Sequence, residues 1–271
     1  MIHSFNNPLI LRHLEDVQDF RVEDRDTPIL TKELKKVPTI VTSIANELRG
    51  SKVKIHFISS PQLRAQHTLK SVVKGLSKLL PNTLVTFETD TRIRDLYHGK
   101  YVVPSDYVPG EKLPAVSLAN NIYNQQTFEK KNLDYHNGDS LKGKYPELEG
   151  LFDQVGETQR SFSSRFYEFV YDFLVQINDN PDTLYVIVTH TAIVFRLFEL
   201  VALFNQQDSQ NQWQVEPGQL TFYEWDSMRY LEHSPDKLFV YPGDVKHINL
   251  EILFKYRQKF SLEIDHLSFK K

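Results

Sequence analysis

Apolar residues recur along this chain at two spacings. Five runs have the length of strands: 8–12 (PLILR), 53–60 (VKIHFISS), 83–90 (TLVTFETD), 183–190 (TLYVIVTH) and 219–226 (QLTFYEWD). The first and fourth are apolar on both faces, as central strands of a parallel sheet must be. Between the runs the period changes to that of a helix. Residues 33–50 place Val37, Ile40, Val41, Ile44, Ala45 and Leu48 on one stripe, with Pro38 near the start and Gly50 at the end. Residues 61–80 begin with Pro61 as a first-turn residue and carry Leu63, Leu69, Val72, Val73, Leu76 and Leu79. Residues 157–177 carry Phe162, Phe166, Phe169, Val170, Phe173 and Leu174, and 191–204 is apolar almost all round. Strands alternating with helices predict an α/β fold, a three-layer α/β/α sandwich around a mostly parallel, doubly wound sheet.

Residues 99–156 break this rhythm. They are rich in Tyr, Pro, Gly and Asn, with one helical stretch near 115–131. An irregular segment of this length inside a compact domain is usually functional. It is expected to be an insertion capping the site. The organisation expected is a single domain over 1–271, with this cap at 99–156 and a C-terminal extension at 227–271 that holds β-like pieces, KLFVYPG and INLEILF.

The 271 residues are enough for one large core, and 40% hydrophobic with 25% charged residues is ordinary globular composition. A net charge of −3 gives no basic excess for nucleic acid. The absence of cysteine excludes disulfides, a thiol nucleophile and thiolate metal ligands. MIHSFNNPLILRH lacks a basic start and its apolar run is too short for a secretion signal. No window approaches the roughly 20 apolar residues of a membrane span. A cytoplasmic protein without membrane or nucleic-acid partners is the expectation, and a homodimer is compatible with it.

In doubly wound sheets ligands gather at the carboxyl ends of the strands. The first strand ends in Arg12-His13, the second in Ser59-Ser60-Pro61 with Arg64 beyond, and the fourth in His190. After the third come Arg92, Arg94, Asp95 and His98. Each has a bland reading: a structural histidine, a solvated arginine, a surface Arg94–Asp95 pair. Together they make chemical sense. Arginine forks match phosphate oxygens, histidine is a nucleophile or proton carrier near neutral pH, and a carboxyl group can protonate a leaving oxygen. Two histidines with Asp95 also compose a candidate zinc or iron site, but arginines against it would repel a dication. The dinucleotide, P-loop and α/β-hydrolase motifs GxGxxG, GxxxxGK[ST] and GxSxG do not occur.

These segments resemble the histidine phosphatase, or phosphoglycerate mutase-like, superfamily. LILRHLE is similar to its LxRHGE start, DTPILTKEL to D.PLTxxG, FISSPQLRAQHTL to SxLxRAxQTA and IRDLYHGKY to LxExxxGxxxG. GETQRSFSSRFYEFV is similar to GESxxxxxxRxxxFL, and YVIVTHTAIVFRLF to vlvVtHGgvIR. The resemblance spans residues 8–225 in the expected order. It implies that His13 is the nucleophile forming a phosphohistidine, that Arg12, Arg64 and His190 hold the phosphoryl group, and that Asp95 is the general acid and base. No cofactor or metal is implied, and the substrate implied is a small phosphorylated molecule.

Leu14 and Thr191 stand where glycine follows both family histidines, and Leu96 stands where mutases of the family have an arginine. The charged set is intact. A phosphomonoesterase is therefore the first expectation. The alternatives are a mutase, with Lys100, Tyr101, Lys112, Lys142 and Lys144 over a small anion, and a silent phospho-ligand-binding protein.

Overall fold

Alternation along three adjacent strands sorts the core into two layers. In the computed structural model, which describes residues 7–22, 25–48, 54–130, 132–140, 143–210, 242–258, 261–262 and 264–265, β1 (Leu9–Arg12), β2 (Lys54–Ser59), β3 (Leu84–Thr89) and β6 (Thr183–Thr189) run parallel. The strand order is β3-β2-β6-β1-β7, where β7 (Val245–His247) closes the sheet antiparallel to β1. Leu9, Leu11, Ile55, Phe57, Leu184, Val186 and Val188 face one layer, with α1 (Val37–Glu47) and α2 (Leu63–Leu79). Ile10, Ile58, Tyr185 and Ile187 face the other, with α4 (Gln159–Asp179) and α5 (Thr191–Gln210). Side chains two residues apart share a face and neighbours oppose, so continuous apolar strands serve both layers. The fold is the expected α/β sandwich around a mostly parallel sheet.

The helical stripes do what their spacing predicts. Phe162, Phe166, Phe169, Val170, Phe173, Leu174 and Ile177 of α4 are all buried. Each such side chain contributes roughly 1.5–3 kcal/mol through burial. Thr158 caps α4 by accepting from the Ser161 amide at 3.1 Å, a contact worth about 1 kcal/mol. Ser163 is buried among them and accepts from Gln159 Nε2. Pro61 lies before α2, whose N-cap is Gln62, rather than inside its first turn.

The stretch 99–156 contains a two-stranded ribbon, β4 (Lys100–Tyr101) with β5 (Phe152–Gln154), and α3 (Pro114–Asn124), which runs on into a π-helical turn. Phe20, Tyr101, Tyr107, Tyr123, Tyr135 and Tyr145 pack with Leu113, Ile122 and Leu148 into a core of its own. In the tail, INLEILF is not a strand. Asn249 Oδ1 accepts from the Glu251 amide at 2.9 Å and starts α6 (Glu251–Lys255), whose Leu253 reaches the core beside Leu250. The expected strand at 219–226 lies outside the described residues.

Leu14 is explained here. Its amide donates to Thr68 Oγ1 at 3.0 Å, and its side chain is fully buried in the layer holding Ile40 and Ile44. A Cβ placed on Gly243 would stand 3.0 Å from Leu14 Cδ2. Gly243, at φ +87°, donates to the Arg12 carbonyl at 3.0 Å. The volume after His13 thus belongs to a core that the C-terminal segment closes.

Candidate active site

Three strand ends place the candidate groups. β6 lies between β2 and β1, and its ladder extends past the strands: the His13 amide donates to the Thr189 carbonyl and the Ser60 amide to the Val188 carbonyl, both at 3.0 Å. His190 therefore sits between His13 on one side and Ser60 and Arg64 on the other. The His13 and His190 ring centroids are 4.9 Å apart. Arg64, in the first turn of α2, donates from Nε to His190 Nδ1 at 3.2 Å, from Nη2 to Asp95 Oδ2 at 3.0 Å and from Nη1 to the Arg25 carbonyl at 2.8 Å.

The hydrogen bonds assign the tautomers. A carbonyl only accepts, so His13 Nδ1, 2.6 Å from the Leu14 carbonyl, carries the proton and Nε2 keeps its lone pair. Burial, then the charge of Arg64, lower His13 to about 4, against the Leu14 carbonyl, Asp16 and Asp95. The ring is neutral at pH 7. Guanidinium only donates, so His190 Nδ1 accepts from Arg64 and Nε2–H donates to Ser60 Oγ at 2.7 Å. Burial holds His190 well below its ordinary value despite Asp95. Its 3.7 Å approach to Asp95 is accordingly proximity rather than an ion pair.

Burial alone would raise the Asp95 carboxyl. The nearness of His190, the guanidinium charges of Arg64 and Arg25, and the nearness of His98 outweigh it and hold the group well below the usual carboxylate range. Asp95 rests as a carboxylate on Arg64. Arg12 lies at the same edge: burial lowers its pKa, and the charges of Asp95, Asp16, Asp244 and Glu15 oppose the change.

The other flagged cations lie elsewhere. Arg92 pairs with Asp90 at 2.7 Å and Asp172 at 2.5 Å, and Arg94 pairs with Glu157 at 3.0 Å, so the bland alternative of a surface Arg94–Asp95 pair does not hold. Among the described residues no group of three or more histidines and carboxylates is placed to hold a metal ion.

Several supporting residues escaped the sequence reading. Gln62 Oε1 accepts from the Asp95 amide at 2.9 Å. Arg165 on α4 donates from Nη1 to the carbonyls of Arg92 and Arg94 and from Nη2 to that of Asp95, at 2.7, 2.9 and 3.0 Å. Its charge is met by buried Glu157, 2.5 Å from Nη2, which also accepts from the Tyr97 amide. This pair, eight residues apart on and before one helix, holds the loop that presents Asp95. Arg25 has φ 47°, unusual for a residue with a Cβ, and its carbonyl accepts from Arg64 and from the Thr27 amide. The only advance signal was the Glu–Arg spacing of the 156–170 segment; nothing marked Gln62 or Arg25.

Fold and site together define an α/β protein with two neutral histidines, an arginine fork and a carboxylate at the carboxyl edge of its sheet. No family model matches this chain, and no curated protein matches it. Among solved structures it is similar to a mycobacterial glucosyl-3-phosphoglycerate phosphatase, at 16% identity and a TM-score of 0.42 over 70% of this chain and 76% of that one. The same phosphatase with inorganic phosphate aligns at 15% identity and a TM-score of 0.39, over 70% and 75% of the two chains. The product of an open reading frame of Mycobacterium tuberculosis aligns at 14% identity and a TM-score of 0.40, over 72% and 80%.

Proposed function

We propose that this protein is a histidine phosphatase that hydrolyses a small phosphomonoester through a phosphohistidine on His13. The observation that carries this reading is the state of His13: a neutral ring whose Nδ1–H is tied to the Leu14 carbonyl, leaving the Nε2 lone pair beside Arg64 and His190.

The steps follow from that arrangement. A phosphoryl dianion takes the place of the Asp95 carboxylate on Arg64, with Arg12 as its second cation. Released beside two new negative charges, Asp95 gains affinity for a proton and takes one from solvent. His13 Nε2 attacks phosphorus, the bond to the ester oxygen breaks, and that oxygen leaves with the Asp95 proton. The phosphorylated ring is cationic, and the Leu14 carbonyl stabilises it by accepting from Nδ1–H. Water then attacks phosphorus and gives its proton to Asp95, while the P–N electrons return to Nε2. Arginine neutralises the transferring charge throughout, as preorganised electrostatics. His190 contributes by orienting Arg64. Its ring has both nitrogens engaged with Arg64 and Ser60, so direct donation to phosphate requires reorientation or protonation.

The expectation tested first is hydrolysis of an aryl phosphate in chelator, with acid-labile phosphate trapped on His13. A mutase would interconvert isomers faster than it releases phosphate. A silent binder would trap no phosphohistidine.

A further inference from the structure

Beyond Asp95 the loop turns into the 99–156 segment, and a second polar cluster lies there that the steps above do not use. Its centre is His98, three residues after Asp95. Asn137 Nδ2 donates to the His98 carbonyl at 2.9 Å and lies 3.4 Å from Nδ1 of its ring. Asn120, from α3, approaches the same ring, and Asn137 approaches the Tyr101 hydroxyl. Both contacts are close enough to act on the two groups, the first raising His98 and the second lowering Tyr101 against burial, but neither has the geometry of a hydrogen bond. Tyr101 Oη, Asn120 Oδ1 and Asn137 Oδ1 are buried and without a hydrogen-bond partner. The Asn137 amide cannot simply be turned over, because its Nδ2 is fixed on the His98 carbonyl.

Leaving a buried polar atom unpaired is unfavourable, because it has lost water and gained no partner. Three on neighbouring side chains, from β4, α3 and the loop before β5, form an incomplete network, and such groups call for an explanation. Their chemistry is specific. Two are amide oxygens, which accept hydrogen bonds and repel anions. The third is a hydroxyl, which accepts or donates. Burial, then Arg25, lower the His98 ring to about 4, so it too is neutral at pH 7. The groups that complete such a set are hydroxyl donors.

We infer that Tyr101, Asn120 and Asn137 form the leaving-group subsite, and that they select a neutral polyhydroxylated alcohol, so that the substrate class is a sugar or polyol phosphate. This rests on the phosphatase reading, and it extends that reading by naming what the ester oxygen is attached to. A substrate whose phosphoryl group sits at Arg64 and His13 has its leaving oxygen at Asp95, and the next atoms lie toward His98.

Tyr101→Phe removes only the unpartnered hydroxyl and keeps the ring in its packing against Phe20 and Phe152. Asn120→Ala removes the second acceptor from α3. The measurement is kcat/KM for ribose 5-phosphate divided by kcat/KM for 4-nitrophenyl phosphate. Each substitution should lower this ratio about ten-fold, the value of one hydrogen bond read by the site. A ratio unchanged in both variants overturns the subsite, and so does a wild-type preference for phosphorylated carboxylic acids over sugar phosphates. A second arm needs no turnover. In His13→Ala protein, ribose 5-phosphate should raise the melting temperature more than inorganic phosphate does, and adding Tyr101→Phe should abolish the difference. Equal shifts by the two ligands would mean that the cluster holds water alone, and would sink the inference. Absence of aryl phosphate hydrolysis by the wild type would instead sink the phosphatase reading and leave the melting arm to decide the subsite.

Discussion

The strand ends and the 99–156 segment hold their polar groups in opposite ways. At the strand ends, His13, Ser60 and His190 hang from a parallel ladder, and the polar atoms of Arg64 and His190 meet one another. In the 99–156 segment the backbone is largely irregular, aromatic rings supply the packing, and buried amide and hydroxyl atoms are left without partners. A site that handles an invariant group can be finished by the protein itself. A site that handles the variable part of a ligand must leave its hydrogen bonds to be completed by that ligand. The junction is the loop 92–99, tied to the body by Arg165 and Glu157 and to the insertion by two glycines. A Cβ on Gly99 would stand 2.7 Å from the Gln154 carbonyl oxygen, and one on Gly156 would strike the Tyr97 carbonyl.

The contrast can be broken, starting with the largest effect. His13→Ala should lower phosphate release from an aryl ester by about four orders of magnitude or more. Activity surviving near the wild-type level would remove His13 as nucleophile. Arg64→Lys should cost about two to three orders of magnitude in kcat/KM, because one ammonium cannot bind phosphate while bridging His190 and the Arg25 carbonyl. Steady-state kinetics on the same ester decide this. At the junction, Arg165→Met should lower kcat by roughly ten- to a hundred-fold, an estimate drawn from the sensitivity of catalysis to small misplacements, and should shift the limb of the pH profile that reports Asp95. Adding Glu157→Gln, which also removes the carboxylate that pairs with Arg94, should not recover that limb. On the packing side, Leu14→Ala should destabilise the protein by about 2–5 kcal/mol in urea unfolding, the usual cost of emptying a buried leucine site. A loss below ~1 kcal/mol would mean the C-terminal segment does not close that layer.

The smallest effect is one of pH. His13 and His98 both lie near 4 in the folded protein, against an ordinary 6.5. Between those values the unfolded chain binds protons that the folded one does not, so stability falls as pH drops from 6.5 toward 4. Asp95, depressed, adds its loss below the ordinary carboxylate range. Melting temperatures across pH 4–7 should show this slope, and His98→Asn should flatten it. A flat profile in the unsubstituted protein would mean these rings are not held neutral.

Much of the molecule was legible from residue order. Uninterrupted apolar runs in β1 and β6 can only be buried on both faces, and that requires helices on both sides of a parallel sheet. Groups at the ends of such strands must share one edge, so Arg12, His13, Arg64 and His190 could be brought together on paper. What was not legible depends on partners distant in sequence. Leu14 looked anomalous because the volume it fills is bounded by Ile40 and Gly243. Asp95 was visible as an acid, but its resting place on Arg64 is a matter of distance, and Arg94, its neighbour in sequence, pairs with Glu157 instead. The tail segment INLEILF read as a strand because local pattern cannot tell a short buried helix from one; Asn249 and the core around Leu253 decided it. The sequence by itself determined which reactive groups stand at the strand ends and that helices cover both faces of the sheet, since periodicity and residue type are local. Tautomer, charge state and unpaired atoms were decided by tertiary structure alone, because each is set by what stands within a few ångströms of an atom.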